Sequence, residues 1–116
     1  MNKTVLTDLP KGFFPVRISV MGYEDGEIAG ENTLNTTHTP LLLIERFIEK
    51  VRDMYKIAIL NHPIIKETKG AEAIIAVPFS ERERIRIDYN IYASEIDEEV
   101  GNRLRYEFHM ESAFPD

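Results

Sequence analysis

Cysteine and tryptophan are both absent from this chain of 116 residues. Without cysteine there is no disulfide, no thiolate metal site and no thiol nucleophile, so the fold must hold by packing alone. No run of 18 apolar residues occurs, and residues 1–8 lack the apolar stretch of a secretory signal. No membrane partner is therefore expected, and a cytoplasmic protein is. Basic charge is also short: 14 Lys and Arg face 20 Asp and Glu, a net charge of −6. Duplex nucleic acid requires a basic surface to neutralise its phosphates, so it is not an expected partner.

Chemical motifs are equally scarce. Gly22, Gly26, Gly30 and Gly70 fit no phosphate-loop spacing. His38, His62 and His109 form no pair at helical spacing and share no register with a carboxylate, so neither a metal nor another cofactor is expected. There is no Gly-x-Ser-x-Gly elbow and no other local triad signature, and no catalytic residue is nominated. A small hydrolase or transferase using His38 or His109 is kept as an alternative.

What is present is the composition of an ordinary globular protein, 43% hydrophobic and 29% charged, of a length suited to one domain over residues 1–116. Residues 13–23 alternate Phe14, Val16, Ile18 and Val20 against Arg17, Ser19, Met21 and Tyr23, the mark of a half-buried strand. Asp25-Gly26 then makes a hairpin turn that lets residues 27–29 pair back. Residues 30–38, rich in Asn and Thr, read as a loop. Thr39-Pro40 starts a helix, with Thr39 as N-cap and Pro40 at the first helical position. Leu43, Ile44, Phe47, Ile48, Val51, Met54 and Tyr55 recur at three and four residues, so this long amphipathic helix is expected to reach about residue 60, where Asn61-His62-Pro63 stops it. Residues 64–68 and 71–79 read as a hairpin, the second strand apolar on both faces and hence central.

Residues 84–92 alternate too: Ile85, Ile87, Tyr89 and Ile91 against Arg84, Arg86, Asp88, Asn90 and Tyr92. The expectation is a third strand of the meander, followed by a shorter C-terminal helix from Ser94 whose acids Glu95, Asp97, Glu98 and Glu99 offset the dipole of its first turn. The fold class is α+β: an antiparallel sheet of about four strands, one long helix packed on it and a shorter C-terminal helix.

The polar half of residues 84–92 is the candidate for function. Guanidinium forks, an amide and a phenol on one sheet face suit a small anionic or nucleotide-like ligand. Arg17 and Ser19 would join Arg84, Arg86, Asn90 and Tyr92 there, with Arg105 reaching in from the last helix of the same or a neighbouring subunit. A plainer alternative is a solvated strand laced by cross-strand ion pairs. Residues 94–116 hold seven acids and two bases, whereas residues 45–69 hold four acids and six bases. That polarity favours self-association, and it supports a second alternative: an inhibitor-like or immunity-like module whose acidic C-terminal helix occupies a basic site on a protein partner. The expected role is thus a non-enzymatic binding or accessory protein, acting as a homo-oligomer.

Overall fold

The computed structural model describes residues 9–24, 27–28, 38–66, 70–101 and 104–113. Strand β1 (Phe13–Glu24) is followed by the short β2 (Glu27–Ile28), helix α1 (Pro40–Met54), β3 (Ala58–Ile65), β4 (Gly70–Pro78), a 3-10 turn (Phe79–Glu81), helix α2 (Arg82–Val100) and β5 (Leu104–Ser112). The class is α+β, as the residue pattern implies, with an antiparallel sheet, a long helix and a shorter one. The four long strands lie in the order β3-β4-β1-β5, every neighbour antiparallel. Leaving β2 aside, the chain runs β-α-β-β-α-β, the split βαβ arrangement of ferredoxin-like domains. β2 pairs Tyr23 and Glu24 from the side opposite β5, since both strands meet the same two residues. The turn at Asp25-Gly26 and most of the loop at residues 30–38 lie outside the described residues.

Both helices cover one face of the sheet, and alternation along β1 decides which. Val16, Ile18 and Val20 turn toward the helices and are buried, against Ala71, Ala73, Ile75 and Val77 of β4. β4 lies between β3 and β1, and on the face without helices it also buries Ile74 and Ala76, beside the charged Glu72. Gly70 opens it where a side chain would not fit: a Cβ there would sit 2.8 Å from the Val20 carbonyl oxygen.

Helix α1 begins as expected, with the Thr39 hydroxyl accepting from the Leu42 N–H at 3.3 Å. Leu43, Ile44, Phe47, Ile48 and Val51 form its buried stripe. It ends at Met54 rather than near residue 60, because Tyr55 is already extended. The β-branched Ile57 and Ile59 suit the strand that follows. Asn61-His62-Pro63 lies inside β3 instead of stopping a helix, at an edge of the sheet where the register shifts twice. Proline is tolerated there because an edge backbone has a side with no ladder partner.

Two assignments are corrected. Residues 84–92 are helical, in the middle of α2, and Ser94 is interior to that helix rather than its cap. The run buried in α2 is Ile85, Tyr89, Tyr92 and Ile96, spaced by four, three and four, while Ile87 and Ile91 are about half exposed. Those two exposed isoleucines create the false alternation. The C-terminal element is conversely a strand, β5, whose Tyr106, Phe108 and Met110 turn toward the core while Arg105, Glu107, His109 and Glu111 turn away.

An aromatic cluster joins the helices to β5. Phe47 packs on Tyr89 and Tyr92 at 4.7 and 5.4 Å between ring centroids, and Phe108 meets the same two tyrosines at 5.4 and 5.9 Å. Each buried phenol finds a backbone acceptor: Tyr89 donates to the Ser19 carbonyl at 2.8 Å, Tyr92 to that of Leu43 at 3.0 Å, and Tyr106 to that of His38. Burial disfavours the charged phenolate, so the pKa values of Tyr89 and Tyr92 are raised and that of Tyr106 is pushed up to about 12.

Candidate functional site

The residues singled out in the sequence separate onto different parts of the fold. Arg17 and Ser19 point from β1 to the face of the sheet that carries no helix, and Arg105 lies on the same face of β5. Arg84, Arg86 and Asn90 are exposed on α2, across the sheet from them, and Tyr92 is in the core. The polar sheet face expected at residues 84–92 does not exist, because those residues are not in the sheet.

Charges on the open face are already engaged with one another. The Arg17 guanidinium lies 3.8 Å from Glu72 and 3.4 Å from Glu111, and Lys66 adds a 3.3 Å contact to Glu72. Tyr23 donates to Glu107 at 3.3 Å, while the Arg105 guanidinium stacks 5.2 Å above the Tyr23 ring. A hollow of about 220 Å³ bordered by Ser19, Met21 and His109 interrupts this ladder. Cross-strand pairing of this kind is a routine way to stabilise a solvated sheet face.

A larger groove, about 390 Å³, runs between α1 and the edge strand β3. Its apolar floor comes from Leu42, Ile48, Ile59 and Pro63, and Glu45, Arg46, Glu49, Arg52 and His62 line it. The charged wall follows from helical spacing, which sets Glu45, Glu49 and Arg52 on one side of α1. Among the described residues, the side chains of Glu45, Glu49, Arg52 and His62 make no hydrogen bond or ion pair. An apolar floor with convergent, uncommitted polar groups is the usual form of a ligand site. The sequence carries the signal as the basic balance of residues 45–69, but its pattern places a strand only from residue 64 and assigns residues 58–60, which face α1, to the helix.

The acids Glu95, Asp97, Glu98 and Glu99 occupy the last turns of α2, where the helix dipole is negative and no basic residue stands. Their expected role of offsetting a first-turn dipole is therefore excluded. Lys50 lies 3.9 Å from Glu95, and His38 Nε2 lies 3.2 Å from Glu99. His38 is buried and lines none of the hollows described above. His109 is exposed, 3.9 Å from Glu107. Among the described residues no three metal-ligating side chains converge, and no helix is long and apolar enough to cross a membrane.

No family model matches the chain, and no curated protein matches it. Among solved structures it is similar to an aminoacylhistidine dipeptidase from Vibrio alginolyticus, with a TM-score of 0.67 and 16% identity. The likeness covers 93% of this chain but only 23% of that enzyme, so the chain spans less than a quarter of the protein it matches. At that identity the two share a fold.

Proposed function

We propose that the protein is a non-enzymatic binding module, working in the cytoplasm as a homo-oligomer, that holds a small anionic, nucleotide-like molecule between α1 and β3. The observation that carries this reading is the groove itself, where uncommitted charges stand around an apolar floor. A flat ring lies on Leu42, Ile59 and Pro63, and its anionic group meets Arg52 and His62. Arginine suits that role because its planar fork makes two parallel bonds to a phosphate or carboxylate. Glu45 and Glu49 accept from amino groups on the ring, which favours a ligand carrying donors as well as negative charge.

The test is a thermal-shift titration with nucleoside monophosphates, other phosphorylated metabolites and inorganic phosphate. The expected result is a raised melting temperature with the nucleotides, lost in Arg52→Ala and in Leu42→Trp, which fills the groove, and retained in Arg86→Ala. If no anion stabilises the protein, the reading fails.

A second reading rests on the placement of Glu95, Asp97, Glu98 and Glu99 at the unfavourable end of α2. Exposed like charge at a helix C-terminus costs stability and suits docking on a basic protein surface. Capture of a basic partner that is abolished by Glu98→Lys with Glu99→Lys, yet indifferent to Arg52→Ala, distinguishes it from the groove.

A further inference from the structure

Strand β5 pairs with β1 along one edge, and no described residue pairs along the other. The hydrogen bond from the Ala113 N–H to the Pro15 carbonyl, 3.1 Å long, fixes how its backbone is turned. In an alternating ladder, Glu111, His109, Glu107 and Arg105 then direct their backbone groups to β1. Met110, Phe108, Tyr106 and Leu104 direct theirs to the free edge. Such an edge is a template for a further strand, and proteins ordinarily blunt it with proline, a bulge or brevity. β5 has none of these: it is nine residues long, contains no proline and keeps one register against β1 throughout.

Its sequence is complementary to itself. Laid antiparallel against a second β5 with the two-fold axis at Phe108, Arg105 falls opposite Glu111 of the second copy, and Glu107 falls opposite His109. This register uses the full strand and gives all four charged side chains a cross-strand partner. On the helix side, Tyr106 meets Met110 of the other copy and Phe108 meets Phe108, prolonging the aromatic cluster across the axis.

Helix α2 supports the same geometry. It lies over β5 through the contacts of Tyr89 and Tyr92 with Phe108. One flank faces α1, with Asp88 accepting from the Tyr55 hydroxyl at 2.6 Å and Glu95 beside Lys50. Helical spacing puts Arg86, Asn90 and Asp97 on the opposite flank, above the free edge. Across the axis the two α2 helices run antiparallel, which brings Arg86 of one copy toward Asp97 of the other.

We infer that β5 pairs antiparallel with β5 of a second copy of this chain about a two-fold axis at Phe108, joining the two sheets into one. The interface is isologous and closes on itself, so a dimer forms and not a fibre. Arg105, Arg86 and Asn90, three of the residues expected at a ligand face, all belong to it.

Charge exchange tests this pairing. In Arg105→Glu alone, or Glu111→Arg alone, both cross-strand ion pairs become like-charge pairs; in a mixture of the two variants, both pairs are restored. Sedimentation of the natural protein is expected to give twice the chain mass. Each variant alone should associate about a hundredfold more weakly, and mixing should recover a heterodimer. Met110→Pro removes an outward-facing N–H without touching the β1 ladder, and is expected to give a folded monomer by circular dichroism. A natural protein that sediments as a monomer at millimolar concentration, or single variants that dimerise as well as the natural chain, would overturn the proposal.

Discussion

The two edges of this sheet are built differently. β3 carries Pro63, shifts register twice against β4 and leaves Ile64 and Ile65 about half exposed, whereas β5 is proline-free, regularly alternating and in one register against β1. Edge strands without protection are aggregation hazards, and their hydrogen-bonding groups draw in another strand unless something opposes it. β3 has that opposition in its own backbone, and it borders the groove between itself and α1. β5 lacks it, and its charges match those of an antiparallel copy. One edge of the fold thus suits a small ligand and the other suits a second chain.

That contrast can be broken from the β5 side. Gly101 ends α2 with φ 78° and ψ −150°, a region essentially confined to glycine, and it turns the chain toward β5. Gly101→Ala is expected to cost about 1–3 kcal/mol in urea titrations. Amide exchange in such a variant should rise in β5 more than in β3. An equal rise in both edges would mean that the sheet responds as one unit and the contrast is only geometric.

A smaller effect should appear at high pH. Tyr89, Tyr92 and Tyr106 all lie on the α2 and β5 side, and burial raises each above the ordinary value of 10, that of Tyr106 to about 12. A folded-state pKa above the unfolded one gives stabilisation that is complete below pH 10 and is lost as pH rises through the folded value. Melting temperature is therefore expected to hold to about pH 10 and to fall from there toward pH 12. Tyrosinate absorbance should develop together with that fall, and the β5 half should loosen before β3. Full ionisation of every tyrosine with no loss of structure would contradict the assigned burial.

Much of the architecture was legible in the residue pattern, and its failures have one cause. β1 and β4 bury what their periodicity implies, and α1 does so as far as Val51, whereas Met54 is exposed and Tyr55 lies past the helix end. Residues 84–92 and 104–112 both alternate, yet the first is helix and the second strand. Between Phe79 and Gly101 there is no glycine or proline, so nothing interrupts a helix, and Ile85, Tyr89, Tyr92 and Ile96 keep helical spacing across the supposed turn. In β5 the spacing of Val100, Leu104 and Phe108 imitates a helix, although Gly101 lies between the first two. The groove is least legible because it needs β3 opposite α1, and the apolar run at residues 58–60 continues the helical pattern as readily as it starts a strand. Locally ambiguous runs were resolved by long-range pairing, which no short window contains.

Amide hydrogen exchange of the natural protein, followed residue by residue at micromolar and millimolar concentration, tests the difference between the two edges most directly. The N–H groups of Leu104, Tyr106, Phe108 and Met110 are expected to become protected as concentration rises, while those of β3 keep the same rates. If the outward amides of β5 exchange freely at both concentrations, or if those of β3 gain the protection instead, β5 is not the pairing edge.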